Sequence, residues 1–181
     1  PLLFVELKNT NVDVQNAYTD NYTDYLDTIP HLFYYNAFLI LSNGLEAKVG
    51  TLGSKYEFFH EWKRLNENEQ GSVALETMLR GICQKENFLD LLENFILFDH
   101  SGGRITKILA RNHQYLGVNE AIKAYEARKL KEGKLGVFWH TQGSGKSYSM
   151  VFLAQKIRRK LAGSPTIVVL TDRDELNKQI S

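Results

Sequence analysis

One cysteine in 181 residues excludes an internal disulfide framework and a zinc site built from several thiolates. Cys83 is therefore expected as a thiol, in a reducing, cytoplasmic setting. Three prolines and 13 glycines are too few for a collagen-like or Pro/Gly-rich disordered chain. No apolar run approaches the roughly 18 residues of a membrane span. Stretches such as Phe38–Leu41 are strand-sized, so no membrane partner is expected. Neither sign of charge dominates, with 22 basic and 21 acidic residues. What is left is globular composition, in a length that suits one domain or parts of two. Pro1 leads straight into Leu2–Val5 without a signal-peptide layout, and Ile180–Ser181 falls in a helical-looking segment, so a piece of a longer chain is expected.

The even charge total hides an uneven distribution. Residues 104–163 carry 13 Lys and Arg against 3 Glu, while residues 1–103 carry 7 basic and 15 acidic side chains. A basic half suits a polyanion such as nucleotide or DNA. It equally suits a solvated helix end, as at Lys156, Arg158, Arg159 and Lys160, where cations are favoured.

Hydrophobic periodicity predicts an alternation of strands and helices. Strands are expected at Pro1–Lys8, Phe33–Ser42 and Leu45–Leu52, the last two joined by a type I′ turn at Asn43–Gly44. A helix over Val12–Asp27 ends before Pro30. Further helices are expected at Tyr56–Leu65, Val73–Gly81, Asn87–Phe98, Tyr115–Glu132 and Ser147–Leu161. Asp99–Arg104, polar and with two glycines, is the expected linker. Strands at Leu135–Trp139 and Thr166–Thr171 flank the last helix, which implies a parallel pair with a right-handed crossover.

The strongest chemical signal is His140–Ser147, H-T-Q-G-S-G-K-S. Its end, Gly143-Ser144-Gly145-Lys146-Ser147, matches the right half of the phosphate-binding loop G-x-x-x-x-G-K-[ST]. Glycines let consecutive N–H groups turn inward around a phosphate, and the following helix aims its N-terminus at the same place. Lys146 is placed to reach the β- and γ-phosphates, and Ser147 to offer its hydroxyl to Mg²⁺. Thr141 and Ser144 belong to the same loop, and His140 stands where the general pattern has Gly or Ala. Met150, Ala154, Ile157 and Leu161 are expected on the buried face of the helix. Upstream, Gln114 carries an amide suited to an adenine edge. Downstream, Thr171-Asp172-Arg173 closes the next strand, either as a ligand loop or as a turn and helix cap.

At the other end, Glu6 and Lys8 stand at i and i+2 of a strand and share a face, with Val5 and Leu7 expected toward the core. A carboxylate holding Mg²⁺ beside an ammonium is a workable pair for phosphodiester hydrolysis. A solvent-facing Glu/Lys pair on an edge strand has the same spacing.

In this order the segments resemble the restriction (motor) subunit of type I restriction–modification enzymes. Phe4–Asn9 (FVELKN) is similar to the family's nuclease strand, of the P-D…(D/E)-x-K type, and Ile29–Gly50 to the stretch after it. Asn94–His100 and the Arg111/Gln114 segment resemble the lead-in to the helicase core, Val137–Met150 its phosphate loop, and Thr166–Leu176 the next helicase motif. The resemblance covers nearly the whole chain, and in that family His140 is ordinary.

The resemblance implies an α/β chain: a truncated restriction-endonuclease-like nuclease domain, then the beginning of a RecA-like P-loop helicase domain. The expected boundaries are 1–60 for the nuclease part, 61–103 for a helical connector and linker, and 104–181 for the start of the first ATPase lobe. It makes Glu6 and Lys8 nuclease residues, with Glu6 on the metal, and adds Asn21 and Tyr25, where Asn21 stands for the family's Gln. Arg111 and Gln114 would read adenine; Thr141, Gly143, Ser144, Gly145, Lys146 and Ser147 would hold ATP, Ser147 also its Mg²⁺; Thr171 and Arg173 would lie near the DNA track. The implied activity is that of an ATP-dependent type I site-specific deoxyribonuclease. Its implied partners are double-stranded DNA and the methylation (M) and specificity (S) subunits. The family's upstream nuclease Asp, its helicase Asp-Glu motif and its second lobe are missing, so these 181 residues alone are expected neither to turn over ATP nor to cut. Two other readings start from the same residues. A P-loop kinase or switch would make no use of Glu6, Lys8 or Gln114. A docking piece built on the helices between Tyr56 and Phe98 would not depend on Lys146.

Overall fold

Phe38–Ser42 reads FLILS, the near-continuous apolar run that a strand covered on both faces requires. All five residues are buried, and the segment (β2) is the central strand of a three-stranded sheet. Leu3–Leu7 (β1) runs parallel to it, Leu3 beside Phe38 and Leu7 beside Ser42. Ala47–Gly50 (β3) runs antiparallel on the other side, with Gly50 opposite Leu39. The computed structural model describes residues 1–100 and 103–170, in two compact units, Pro1–Asn112 and His113 onward. The class is mixed α/β with small sheets.

A parallel pair needs a crossover, and the chain between β1 and β2 supplies it. It contains a π-helical segment, Ala17–Tyr22, an α-helix, Thr23–Thr28 (α1), and a 3₁₀ turn, Pro30–Phe33. The helix expected here is present, but its first part is wound wider, with i→i+5 bonding. Pro30 stops it as expected: Ile29 leaves the helical region at φ −135°, ψ 55°. Val14, Ala17, Tyr22 and Phe33 pack with Leu39, Leu41 and Phe59 to form the core on this face. Tyr22 meets Phe33 edge-on at 5.6 Å, and its hydroxyl accepts the Gly53 N–H at 3.0 Å. On the opposite face of β2, Phe38 meets Phe88 of the helix Lys85–Asn94 (α3) at 5.4 Å.

Several expected elements take another form. The β2–β3 connection is a four-residue loop, not a type I′ turn: the Asn43 side chain accepts the N–H groups of Leu45 and Glu46 at 3.2 and 2.8 Å, and Gly44 alone takes positive φ there. Tyr56–Leu65 shortens to one 3₁₀ turn, Tyr56–Phe58, after which His60 pairs with Val49 through two backbone bonds of 2.8 and 3.0 Å. The extended form buries Phe59 and Trp62, the latter against Gly81 of the helix Leu75–Ile82 (α2). A Cβ at Gly81 would stand 2.2 Å from the indole nitrogen. The helix expected to run to Phe98 ends at Asn94, and Ile96–Asp99 (β4) pairs antiparallel with Thr106–Leu109 (β5). A short apolar run such as ILF fits a strand or a buried helix turn, and pairing decides between them. Asp99, the first residue of the expected linker, is the last residue of β4 and pairs with Thr106 of β5. Asn112 ties the chain that follows β3: its amide oxygen accepts the N–H groups of Lys63 and Arg64, and its amide nitrogen donates to the Arg64 carbonyl.

The second unit contains the helices Asn112–Glu126 (α4, whose first residue belongs to the first unit) and Lys146–Lys160 (α5), with a 3₁₀ turn at Arg128–Lys131. Leu135–Trp139 and the described part of Thr166–Thr171 have no strand partner among the described residues, so the expected parallel pair is not formed there. Backbone N–H and C=O groups make a strand only against a neighbour. The alternation is still visible: Val137 and Trp139 are 92% and 78% exposed, while Phe138 and His140 turn toward Gly117 of α4. The inward face of α5 carries Ser149, Phe152 and Lys156, not the expected Met150-to-Leu161 stripe, because this helix is apolar on more than one side. No helix among the described residues is long and apolar enough to cross a membrane.

Candidate functional site

All but Arg111, Thr171 and Arg173 of the residues singled out from the sequence fall into two clusters, one in each unit. In the first, β1 is an edge strand and only one of its faces is covered. The expected orientation is reversed. Val5 and Leu7 are 38% and 58% exposed, whereas Phe4 packs edge-on against Tyr25 at 6.1 Å and Phe33 at 5.2 Å. The edge-on aromatic contacts of Phe4 are what this face offers the helices, and they set which side of the strand is covered. Glu6 and Lys8 share that face and so point toward the crossover segment instead of solvent.

Lys8 donates from Nζ to the Asn21 side-chain oxygen and lies 4.0 Å from the Asp20 carboxylate. Asn21 and Asp20 sit on the π-helical segment, whose wide turn presents them toward the strand end. The structure therefore brings Glu6, Lys8, Asn21 and Tyr25 to one side of one strand. Asp20, adjacent to Asn21, was not singled out; its position one residue away on a helical segment is the only signal it left in the sequence. Desolvation pushes the Glu6 carboxyl above its ordinary value, and the Lys8 ammonium pulls it part of the way back.

A carboxyl whose pKa rises on folding binds its proton more tightly in the native state, so stability falls as pH rises through the interval between its unfolded and folded values. Glu6→Gln is therefore expected to melt higher than the unaltered protein at about pH 8 and no higher at about pH 3. Thermal melts at the two pH values check this, and an equal or lower melting temperature at the upper one would contradict it.

The second cluster is the glycine loop. Gly143 and Gly145 hold φ of 77° and 79°, the left-handed region that glycine enters without strain. Gly145 is the N-cap of α5, so the first free N–H groups of that helix open beside the loop. Lys146 Nζ donates to the carbonyls of His140 and Thr141 at 2.8 and 2.9 Å, and the Ser144 N–H reaches the Thr141 carbonyl at 3.3 Å. Ser147 is the second residue of α5.

Gln114, 4% exposed on α4, is brought onto this loop: its amide nitrogen donates to the Gly145 carbonyl at 3.0 Å and lies 3.4 Å from that of Ser144. His113, which the sequence reading passed over, places Nε2 at 2.9 Å from the Ser144 carbonyl. Its signal was adjacency to Gln114. Arg111 is exposed and belongs to the first unit. Thr171 and Arg173 lie outside the described residues.

Among the described residues no group of three His, Cys, Asp or Glu side chains could hold a metal by itself. The Ser147 hydroxyl and the Glu6 carboxylate are hard oxygen donors. That chemistry suits Mg²⁺, which takes one or two protein oxygens and completes its shell with phosphate and water. The residues fit the ion as partial ligands.

Comparison with known proteins divides the chain in the same way. Residues 1–58 match the family described as type I restriction enzyme R protein N terminus, and residues 113–181 match the SWI2/SNF2 ATPase family. The type I restriction enzyme HindI endonuclease subunit of Haemophilus influenzae is 38% identical over 192 aligned residues, which take in 99% of this chain. A putative type I restriction enzyme endonuclease subunit, MjaIXP, of Methanocaldococcus jannaschii is 30% identical over 99% of the chain. A type I restriction enzyme endonuclease subunit of Staphylococcus aureus is 24% identical, again over 99%. The chain spans 18% of the Haemophilus protein and 19% of each of the other two.

Proposed function

Because the chain belongs to the R-protein family of type I restriction enzymes, we propose that it is the part of an ATP-driven, DNA-cleaving subunit that carries the nuclease strand and the ATP-binding loop. The nuclease part is residues 1–60, of restriction-endonuclease-like fold. A helical connector and linker spans 61–103, and the start of a RecA-like ATPase lobe spans 104–181. The observation that carries the reading is the presence in one chain of the Glu6–Lys8–Asn21 cluster and of a glycine loop clasped by α4.

In this reading the N–H groups from Gly143 to Ser147 receive the ATP phosphates, and the Lys146 ammonium, now at the loop rim, faces the β- and γ-phosphates. Gln114 has its amide nitrogen on the loop, so its contact to adenine runs through the carbonyl oxygen, which accepts from the N6 amino group. Arg111 is assigned to adenine recognition as well, and Thr171 and Arg173 to DNA contact. At the strand, Lys8 orients the attacking water and counters charge on the scissile phosphate, with Asn21 fixing its ammonium and Tyr25 closing the side. Mg²⁺, held by Ser147 at one site and Glu6 at the other, would neutralise phosphate charge and lower the pKa of bound water. The partners are double-stranded DNA and the M and S subunits, in the cytoplasm.

The test is ATP hydrolysis by the full-length subunit assembled with M and S subunits, measured with and without duplex DNA. We expect turnover that depends on DNA, together with double-strand cleavage. ATP turnover indifferent to DNA, with no cleavage, would overturn the proposal.

A further inference from the structure

We propose that His113 is a positioning residue of the ATP-binding loop, holding the Ser144 carbonyl and so fixing the direction of the Gly145 N–H. The inference rests on the reading of Gly143–Ser147 as the ATP site and goes beyond it to what keeps that loop in shape. Gly143 and Gly145 flank Ser144 with positive φ and carry no side chains, so the loop has little bulk of its own to hold it. Besides the bonds of Lys146 and of the Ser144 N–H to the loop's own carbonyls, side-chain restraint comes from α4. A carbonyl only accepts, so the 2.9 Å contact makes His113 Nε2 the donor to Ser144. Gln114, the next residue, donates to the Gly145 carbonyl at 3.0 Å.

The trans peptide turns this into a statement about phosphate binding. Within one planar peptide unit the C=O and the following N–H point in opposite directions. A Ser144 carbonyl drawn toward His113 sends the Gly145 N–H to the opposite side, and a Gly145 carbonyl drawn toward Gln114 does the same for the Lys146 N–H. The second donor is aimed by Gln114 together with the Ser149 N–H, which also reaches the Gly145 carbonyl at 3.2 Å; the first is aimed from α4.

The His113 ring is itself held. It meets His140 edge-on at 4.9 Å, and His140 meets Phe138 at 4.5 Å. Gly117, one helical turn after His113, lets the Phe138 ring lie against α4; a Cβ there would stand 2.4 Å from it. The column Phe138–His140–His113 thus connects the segment entering the loop to the helix that clasps it.

The experiment compares His113→Gln, His113→Asn and His113→Leu in the full-length subunit assembled with M and S subunits. The readouts are calorimetric affinity for the non-hydrolysable analogues AMP-PNP and GMP-PNP. The Gln amide nitrogen reaches the place of Nε2, the Asn amide falls one methylene short, and Leu donates nothing. Leu and Asn are expected to weaken AMP-PNP about 5–10-fold, and Gln to stay within about twofold of the unaltered subunit. The loss should be equal for GMP-PNP, because His113 acts on the phosphate side and not on the base. Undiminished binding by His113→Leu would overturn the proposal, as would a His113→Gln variant as weak as His113→Leu, or a loss confined to AMP-PNP. Lys146→Ala is measured alongside. If it still binds AMP-PNP normally, the ATP-site reading fails and the His113 proposal with it; if it loses binding while His113→Leu keeps it, only the His113 proposal fails.

Discussion

Lys146→Ala in the full-length, assembled subunit is expected to lower DNA-dependent ATP hydrolysis by about 10²–10³-fold, the scale seen when one preorganised charge-stabilising donor is removed from a reacting centre. Cleavage should fall with it, since in this reading translocation delivers the DNA to the nuclease. The side chain is exposed, and its two bonds go to the carbonyls of His140 and Thr141. Its loss should therefore leave the fold intact, with stability changed by about 1 kcal/mol or less. Steady-state ATP turnover and cleavage of a plasmid carrying the recognition site measure both effects. A variant that keeps more than about a tenth of the turnover would remove Lys146 from the phosphate site.

Lys8→Ala separates the two engines. DNA-dependent ATP hydrolysis should stay within about twofold of the unaltered subunit, while cleavage falls by about 10²-fold or more. The geometry explains the asymmetry: Lys8 bonds Asn21, faces Asp20 at 4.0 Å and lies near Glu6, all within the first unit. Removing the ammonium also removes the influence that lowers the Glu6 pKa, so the carboxyl that should hold the metal becomes harder to ionise. The cleavage defect should then shrink as pH is raised. Lys8→Ala that cuts normally would leave the Glu6/Lys8 strand a structural element and remove the nuclease half of the proposal. A variant that loses ATP turnover as well would show that the clusters are not separable.

The contrast between these two lysines shows how far a sequence carries a site. Lys146 was placed by its immediate neighbours, because Gly143 and Gly145 dictate the backbone there. Lys8 was placed by spacing alone, and spacing names the companions on a strand face without saying which face is inward. Glu6 and Lys8 were correctly put on one face, and that face was wrongly put outside, because the deciding contact is Phe4 against Tyr25 and Phe33, about 20 to 30 residues away in the chain.

The sequence by itself determined what depends on neighbours along the chain. It located the buried run of β2, the helix stop before Pro30 and the glycine loop opening onto α5, since each follows from local dihedral limits or an unbroken apolar run. Tertiary structure alone decided what depends on partners far away in sequence. Ile96–Asp99 became a strand because Thr106–Leu109 pairs with it, whereas Leu135–Trp139, with the same strand-like alternation, has no partner among the described residues. His113 and Gln114 acquired their place on the loop because α4 brings them to carbonyls about 30 residues onward. A hydrogen bond or a packed face is a relation between two segments, and one segment's sequence carries only half of it.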